Sequence, residues 1–442
     1  MMEFKNGLKL PLPKNIDTDL TEIRTESFGI VTGDFVSLKP TIVINEGEKI
    51  RKGDILFTDK YNRGLKFISN VDGYVKKIYR GEKRRLIAYH YEGESGPYHM
   101  KPNFSLNRLD KNNRSLLMDD LINSGLWISF RERPFDRVAN PDHLPDKIFV
   151  ILRDTRPYAP NYNKIIVDNL NYLLAGIKVG SCLTDGEVLI FKDNNLYVDI
   201  DLPNVKIIDI SGSYPSSLVG TLINQFYPLN RNRRIWYIDY QDVIMIGKLY
   251  LDEVVDRKKI ISYGYEKEQK LYLACEFSSI KGYFDEIIYN EDVRIIAGTP
   301  IYGRRVDDET MFLNRYINTV SVLKEVKERS FMGWLMPGLS RYSVKNVFIS
   351  KIYPNKITFN TSLNGSYRPM LPIGSYEKVS MLNTPITYLL RSIITGDLEM
   401  AEKLGVLDFG EEDMAVFTFV SVGKIDYTVY LRKILDEIES EI

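Results

Sequence analysis

Few side chains in this sequence could carry out chemistry by themselves. Three histidines, His90, His99 and His143, and two cysteines supply all of the imidazole and thiol groups in 442 residues. So few histidines argue against a two-histidine zinc-binding helix or a histidine-centred catalytic triad. Cys182 and Cys275 lie in separate segments, which excludes a disulfide framework and an iron–sulfur cluster held by the cysteines of this chain. We therefore expect no catalytic residue and no metal or cofactor bound by the chain, and a reducing compartment.

The sequence also lacks the loops that bind phosphate groups through backbone amides. A dinucleotide fold needs closely spaced glycines between its first strand and helix, but the corresponding turn at 153–157 contains none. The Gly-Lys pairs at 247–248 and 423–424 lack the upstream glycine and the Ser or Thr of a Walker loop. The serine-rich stretch 211–217 follows a strand, where ligand crevices form in α/β sheets. A helix cap explains that stretch nearly as well.

The charge and hydropathy of the sequence restrict the kinds of partner that the chain could bind. Lys plus Arg equal Asp plus Glu at 59 each, so no overall field favours nucleic acid, and we expect none as a partner. Positions 76–85 form a basic patch that could face anionic lipid or an acidic partner, or be a solvated loop. Arg231, Arg233 and Arg234 form a second candidate contact patch. No apolar run approaches the roughly 18 to 20 residues that span a bilayer, and the N-terminus shows no export signal.

The elements that must position these groups indicate a multidomain α/β fold. In residues 1–103, apolar residues and glycines alternate every third position from Ile44 to Leu56, which suits a small barrel with tight turns. This pattern resembles the barrel-sandwich hybrid of lipoyl and biotinyl domains. Those domains carry their cofactor on a hairpin lysine, and Lys60 lies near that place. A lone carrier enzyme modified at Lys60 is therefore an alternative, although a solvated turn lysine explains the position better because no methionine flanks it.

Residues 104–256 alternate between strand and helix patterns, as in a Rossmann-like, doubly wound sheet. Continuous apolar runs indicate strands covered on both faces. The predicted strands are 148–152, 188–191, 205–210, 234–238 and 243–246, and the predicted helices are 106–123, 163–175 and 217–225.

The remaining sequence divides into a small mixed domain, 257–330, and a partly helical domain, 331–442. The mixed domain contains predicted strands at 270–275 and 293–298. In the last domain we predict strands at 345–352 and 356–360, followed by helices at 385–394, 398–404 and 428–442. An apolar stripe on the final helix predicts packing on its own domain.

Several longer stretches are similar to one protein family along nearly the whole chain. They are 7–11 (GLKLP), 38–41, 52–57, 124–127 (SGLW), 131–135 (RERPF), 240–249, 333–338 and 372–377. On these stretches the chain resembles the NqrA family, the A-type subunits of the sodium-translocating NADH:quinone reductase. That family is distantly related to the flavoprotein subunit of complex I and to the RnfC subunit of the Rnf complex. For residues 257–330 the resemblance implies a β-grasp-like (SLBB) domain, and for 331–442 a mainly helical one.

The chain departs from its flavin-binding relatives at two places. Positions 127–133 stand where those relatives have a glycine-rich flavin loop, and bulky side chains there would block the approach of a cofactor phosphate. At 417–424 this sequence has Phe417 and Ser421 where many family members have cysteines. The resemblance therefore implies no flavin and no cluster here. An Rnf-type electron-transfer subunit that has lost its clusters is an alternative.

The resemblance implies an extrinsic subunit on the cytoplasmic face of the bacterial inner membrane. Subunits B to F would bring NADH oxidation, flavins, iron centres and the sodium path, and hold this chain at the membrane. The implied reaction is quinone reduction to quinol coupled to sodium export, with the isolated chain inactive.

A quinone ring needs an aromatic or aliphatic slot and donors for its carbonyls. The candidate quinone-binding residues are Trp127, Arg131, Arg133, Phe135, Arg137, Asp34 and Phe35. Two alternatives stay open. The arginines around Pro134 could merely bridge the barrel to the α/β domain, and the whole chain could be a docking subunit without a ligand.

Overall fold

The chain folds into several β-sheets flanked by helices, which confirms the α/β prediction. The computed structural model describes residues 2–14, 19–62, 64–283, 292–327, 336–344, 348–354 and 357–441. The strands are β1 (Met2–Glu3), β2 (Leu20–Glu22), β3 (Ser27–Val31), β4 (Pro40–Ile42), β5 (Lys49–Ile50), β6 (Ile55–Asp59), β7 (Lys66–Ile68), β8 (Val71–Arg80), β9 (Leu86–Ser95), β10 (Tyr98–His99), β11 (Arg131–Arg133), β12 (Arg137–Val138), β13 (Lys147–Ile151), β14 (Glu187–Lys192), β15 (Val205–Ser211), β16 (Ile235–Asp239), β17 (Val254–Val255), β18 (Lys258–Tyr265), β19 (Glu268–Cys275), β20 (Val293–Gly298), β21 (Gly303–Arg305) and β22 (Thr319–Lys324). The α-helices are α1 (Arg114–Asn123), α2 (Tyr162–Asp168), α3 (Leu170–Cys182), α4 (Val219–Phe226), α5 (Tyr240–Asp252), α6 (Ser375–Val379), α7 (Ile386–Thr395), α8 (Leu398–Lys403), α9 (Glu411–Val420) and α10 (Tyr427–Ser440).

A seven-stranded sheet separates two large hydrophobic cores. Its strand order is β1-β15-β14-β13-β16-β11-β12. The first five strands in this order run parallel to one another, whereas β11 and β12 each pair antiparallel with their neighbours. On β13, Ile148 and Val150 belong to one core, and Phe149 and Ile151 belong to the other. Successive side chains of a strand point to opposite faces. Both faces are covered, so the strand is continuously apolar.

The helix and strand predictions for this part are mostly confirmed. The predicted strands at 188–191, 205–210 and 234–238 correspond to β14, β15 and β16. The predicted helix at 163–175 is two helices, α2 and α3, which meet at Asn169.

The predicted strand at 243–246 is wrong, because these residues lie inside α5. The Asp239 side chain begins this helix by accepting a hydrogen bond of 2.9 Å from the backbone amide of Gln241. The helix is buried over most of its surface. A short, fully apolar run looks the same in a buried helix as in a buried strand.

The N-terminal part forms two antiparallel sheets around one shared core, in line with the small barrel predicted from the glycine spacing. The sheets have the orders β3-β9-β8-β5 and β4-β6-β7. The ring of Phe57 on β6 lies 4.5 Å from that of Phe67 and 5.6 Å from that of Tyr89 on β9, measured between centroids. The contact between Phe57 and Tyr89 therefore joins the two sheets.

The first 22 residues reach beyond this barrel. Strand β1 extends the seven-stranded sheet through β15, and β2 pairs with β19 in a six-stranded sheet. That sheet has the order β2-β19-β18-β22-β20-β21. The predicted strands at 270–275 and 293–298 are confirmed as β19 and β20.

Helices α6 to α10 pack with α4 against one face of the seven-stranded sheet. The predicted helices at 385–394, 398–404 and 428–442 are confirmed as α7, α8 and α10. None of the helices within the described ranges has the length and apolar character needed to cross a bilayer.

The predicted strands at 345–352 and 356–360 are not found in the described residues. Positions 345–347 and 355–356 lie outside those residues, as do 333–335 of the family-like stretch 333–338. The remainder forms a 3-10 turn, Ile349–Lys351, and one isolated bridge between Asn360 and Lys324. Ile352 is 71% exposed, so this apolar run is not the buried strand that its composition suggested.

Helices α3 and α5 pack against each other through two glycines. A Cβ atom at Gly176 of α3 would lie 2.0 Å from the carbonyl oxygen of Val243, and one at Gly247 of α5 would lie 1.8 Å from that of Tyr172. Backbone atoms cannot move aside as a flexible side chain can. Only glycine permits this close approach.

We expect Gly176→Ala to lower the stability by about 1–3 kcal/mol, the usual cost of overpacking, and to lower the midpoint of thermal unfolding. Gly180 on the same helix is the matched control, since a Cβ atom at that position would have no other atom within 4 Å. Gly180→Ala should raise stability by about 0.5–1 kcal/mol through helix propensity. Equal midpoints for the two variants would contradict the close approach.

Candidate functional site

A cavity of about 70 Å³ lies where four parts of the sequence meet. Asp34 lines it from the barrel, Arg131 and Arg156 from the α/β part, and Glu412 from α9. Positions 298–302 and 314–319 complete the wall. Two of the candidate residues, Asp34 and Arg131, therefore line the same space, although 97 positions of sequence separate them.

Arg131 is held in the cavity wall by two tyrosine rings and one carboxylate. Its guanidinium carbon lies 4.5 Å from the ring centroid of Tyr316 and 5.1 Å from that of Tyr237. Its Nη2 donates a hydrogen bond of 2.6 Å to Asp136 Oδ2. Cation–π contacts and a charge-assisted hydrogen bond fix the direction of the side chain. The guanidinium is thereby positioned before any ligand enters.

Asp136 is shared between Arg131 and Arg133. Arg133 Nε donates to Asp136 Oδ1 at 3.1 Å, and the Tyr237 hydroxyl donates to the same oxygen. Burial opposes ionisation of Asp136, but the charges of Arg131 and Arg133 outweigh it and lower its pKa to about 2. The carboxylate is thus ionised, and it balances two adjacent buried cations.

Asp34 ends a 3-10 turn, Thr32–Asp34, and lines the cavity from the barrel. It forms an ion pair with Arg304, whose Nε lies 2.8 Å from Asp34 Oδ1. Burial raises the pKa of Asp34, and the charge of Arg304 opposes this increase only in part. The wall at Asp34 therefore presents a carboxyl group that holds its proton more readily than an exposed aspartate.

The segment 314–319 forms a further wall and connects the cavity to the core of the sheet. The Tyr316 hydroxyl donates to the backbone oxygen of Ile128 at 2.9 Å, and the Phe35 ring packs edge-on against Tyr316 with 5.5 Å between centroids. Asn318 Nδ2 donates to Asp239 Oδ2 at 3.2 Å. Burial raises the pKa of Asp239 to about 6.

Three consecutive acidic residues in the first turn of α9 each bind an arginine. Glu411 binds Arg432 at 2.6 Å, Glu412 binds Arg156 at 2.5 Å, and Asp413 binds Arg133 at 3.0 Å. Acidic side chains in the first turn also interact favourably with the helix dipole. The pairs of Glu412 and Asp413 fasten α9 to the α/β part beside the cavity, and the pair of Glu411 joins α9 to α10.

Arg133, Phe135 and Arg137 hold the C-terminal helices and do not line the cavity. Arg133 is buried, and besides its pairs with Asp136 and Asp413 its Nη1 donates to the backbone oxygen of Asp408 at 3.2 Å. Phe135 packs on the C-terminal core, and Arg137 forms an ion pair with Glu439 of α10. Arg133 and Arg137 therefore connect to the C-terminal part of the chain rather than bridging the barrel to the α/β domain.

Trp127 lies in the core of the sheet. Its Nε1 donates to the backbone oxygen of Ala139 at 2.8 Å, and its ring packs edge-on against Trp236 with 5.3 Å between centroids. The Trp127, Ile128 and Phe130 side chains are all buried there.

Residues just after β13 form hydrogen bonds to the serine-rich stretch 211–217. Arg153 Nη1 donates to Ser216 Oγ at 2.5 Å and Nη2 donates to the backbone oxygen of Gly212 at 2.6 Å. Thr155 N donates to Ser217 Oγ at 2.9 Å. The crevice after β15 therefore holds side chains of the chain itself.

The predicted contact patch of three arginines binds within the chain. Arg231 forms ion pairs with Glu402 and Glu441, and Arg234 pairs with Glu132 at 3.2 Å. Arg233 donates to the backbone oxygen of Pro228 at 2.8 Å. Lys60, the candidate carrier lysine, is exposed at the turn after β6.

Sequence reasoning missed most of the cavity wall. Arg156 lies in the turn after the first parallel strand, the usual place of a ligand crevice, and that position was a signal that could have identified it. Tyr302, Tyr316 and Asn318 lie in irregular segments, and their sequence gives no signal that they approach Arg131.

The cavity combines donors with flat apolar surface. Arg131 and the amides of Asn314 and Asn318 can donate hydrogen bonds, and the rings of Tyr302 and Tyr316 can contact a planar molecule. A planar ring that carries carbonyl oxygens matches this combination of groups.

Comparison with known proteins shows similarity over the full length. Residues 2–91 match the family model of the NqrA N-terminal barrel-sandwich hybrid domain, and residues 112–254 match that of the NqrA second alpha/beta domain. The A-type subunit of the Na(+)-translocating NADH-quinone reductase of Shewanella frigidimarina (strain NCIMB 400) is 34% identical over 452 residues, and that of Hahella chejuensis (strain KCTC 2396) is 35% identical over 455 residues. Both alignments cover 100% of each chain.

Similarity to a solved structure is weaker. The NAD+-reducing NiFe-hydrogenase in the H2-reduced state aligns with 42% of this chain and 41% of its own, with 11% identity and a TM-score of 0.28. This score is too low to support an argument about fold or function.

We expect Arg133→Met to lower stability by about 3–5 kcal/mol, because it leaves Asp136 and Asp413 buried without their shared cation. Arg137→Met is the matched control and should cost less than about 1 kcal/mol, since the Arg137–Glu439 pair is partly exposed. The midpoint of thermal unfolding of the two variants measures the difference. A similar small shift in both would show that Arg133 does not hold the C-terminal helices.

Proposed function

The chain belongs to the NqrA family of the Na(+)-translocating NADH-quinone reductase, and we propose that it is the extrinsic subunit of such a complex. It would lie on the cytoplasmic face of the bacterial inner membrane, bound to subunits B to F. The full-length match to relatives that carry the name of this reductase supports the proposal.

The reaction of the complex would be reduction of quinone by NADH, coupled to export of sodium. NADH supplies two electrons and one proton, the solvent supplies the second proton, and quinone becomes quinol. NADH, flavins and iron centres would belong to the partner subunits. The chain would then be inactive by itself, and its contribution would be to binding.

The contribution we propose is a binding site for the quinone ring at the cavity. The observation that carries this proposal is the Arg131 guanidinium, fixed against the Tyr316 ring inside a space that the barrel, the sheet and the C-terminal helices share. A guanidinium there can donate to a quinone carbonyl, and the tyrosine rings can contact the plane of the ring.

The size of the cavity implies that a wall must move. A cavity of about 150 Å³ holds a benzene ring, whereas this cavity measures about 70 Å³. Tyr302 is the exposed member of the wall, at 36%. It is the last residue of a turn that is closed by a hydrogen bond of 2.8 Å from the Thr299 amide to the Tyr302 oxygen. Displacement of its ring would enlarge the site without disturbing the buried ion pairs.

A second candidate function is a docking subunit without a ligand. Arg133 favours it, because all three nitrogens of its guanidinium already donate hydrogen bonds, to Asp136, to the backbone oxygen of Asp408 and to Asp413. In that case the cavity would be a packing defect between domains.

We extend the proposal to the domain organisation. The four domains would be 1–103, 104–256, 257–330 and 331–442, of which the second is Rossmann-like and the third β-grasp-like. The strand order β15-β14-β13-β16 supports the second assignment, since it places later strands on both sides of the first. The last boundary, at 330, lies outside the described residues.

We expect Arg131→Met to weaken binding of a short-chain ubiquinone by about tenfold or more, because it removes a charged donor. Tyr302→Ala should also weaken binding. Equilibrium dialysis with the purified chain and the quinone KM of the assembled enzyme are the two measurements.

Tyr197→Ala is the matched control, since Tyr197 is 80% exposed and lies away from the cavity wall. Absence of saturable binding, together with an unchanged quinone KM in all three variants, would reject the ring site and favour the docking function.

We also expect an affinity-tagged chain to co-purify with flavin-bearing membrane subunits from membranes solubilised in mild detergent. Mass spectrometry of the purified material identifies them. Recovery of the chain alone from the soluble fraction would contradict membership of a complex.

A further inference from the structure

One long segment of the chain contains no acidic residue. Between Glu328 and Glu377 there is no Asp or Glu, whereas six cations occur: Arg329, Arg341, Lys345, Lys351, Lys356 and Arg368. The chain as a whole has equal numbers of acids and bases. This segment therefore carries a net positive charge, as the shorter basic patch at 76–85 also does.

The same segment exposes large apolar side chains. In its described part, nine of them are exposed between positions 336 and 373, including Ile352 at 71%, Leu363 at 66% and Tyr367 at 69%. Single exposed apolar residues are normal on a protein surface. A concentration of them within one short stretch marks an interaction site.

A groove of about 280 Å³ lies between this segment and the N-terminal residues 9–11. Leu10, Tyr342 and Phe348 line it with apolar surface, and Lys9 and Lys351 contribute the cations. The Tyr342 hydroxyl donates to the backbone oxygen of Lys9 at 3.2 Å, and its ring lies 5.8 Å from that of Phe359. The hydrogen bond of Tyr342 thus connects the two segments that line the groove.

The combination of charge and exposed apolar groups favours one kind of partner. Lysine is depleted in the cores of protein–protein interfaces. Surfaces that bind bilayers combine Lys and Arg, which attract anionic headgroups, with Tyr, Ile and Leu, which enter the boundary of the acyl chains. The absence of acids also removes repulsion from anionic lipid.

We propose that this surface, defined as residues 336–344, 348–354 and 357–373 with Lys9 and Leu10 and called here the basic apolar surface, binds the anionic lipid bilayer directly. The inference rests on the proposed function only for the presence of a bilayer beside the chain. It adds a contact of this chain with lipid to the attachment that partner subunits would supply.

The test is flotation of the purified full-length chain with vesicles. We expect binding to vesicles of phosphatidylcholine with about one third phosphatidylglycerol, weak binding to phosphatidylcholine alone, and loss of binding as salt is raised. Lys351→Ala should weaken the apparent affinity about fivefold, the effect of one cation near an anionic surface. Ile352→Ser combined with Leu363→Ser should weaken it at every salt concentration.

Two matched controls change exposed groups elsewhere. Tyr197→Ser removes an exposed apolar group, and Lys83→Ala removes a cation from the basic hairpin tip at 80–85. Both should leave the affinity unchanged, and unaltered thermal unfolding of all variants shows that each is folded.

Three results would overturn the proposal. Absence of vesicle binding would do so, as would loss of binding in Lys83→Ala but not in Lys351→Ala. The third is absence of vesicle binding together with loss of partner subunits from the Lys351→Ala complex, which would assign the surface to a protein. None of these results depends on quinone binding, so they leave the ring site to its own test.

Discussion

The arrangement around the cavity depends on one buried carboxylate, Asp136. It accepts hydrogen bonds from Arg131, Arg133 and Tyr237, and without it two guanidinium groups would lie side by side with little to balance their charge. Arg131 then extends toward the cavity, and Arg133 extends toward the C-terminal helices. The same carboxylate therefore couples the candidate ligand site to the attachment of the helical part.

The seven-stranded sheet explains why this carboxylate can be buried. The sheet has a core on each face, and β11, which carries both arginines, is its antiparallel strand next to β16. The turn after β11 has left-handed backbone at Phe135 and Asp136, a conformation that costs energy for residues other than glycine. Arg432 offsets part of this energy cost, because it donates a hydrogen bond of 3.0 Å to the backbone oxygen of Phe135. Acidic residues at the start of α9 complete the pairing of the arginines with carboxylates. The cavity is therefore a consequence of how four segments of the chain are held together.

Prediction from sequence succeeded where the residue pattern within a single segment was enough to indicate its secondary structure. The continuous apolar runs of β13 and β14 indicated strands covered on both faces, and the apolar stripe of α10 indicated a packed helix. It failed at 243–246, where four apolar residues fit a buried helix and a buried strand equally. At the site, the RERPF stretch drew attention to Arg131 and Arg133 together, but their roles differ because one ends at the cavity and the other between two carboxylates of distant segments.

The sequence by itself determined the family, the α/β character, the scarcity of catalytic groups and most of the helices and strands. These properties follow from composition, local periodicity and long similar stretches, all of which are read along the chain. Only the tertiary structure decided that Asp34, Arg156 and Tyr316 share a cavity with Arg131, and that Asp413 neutralises Arg133. The Arg133–Asp413 contact joins residues that are 280 positions apart. Such contacts result from the packing of whole sheets and helices, and local spacing carries no record of which side chains that packing brings together.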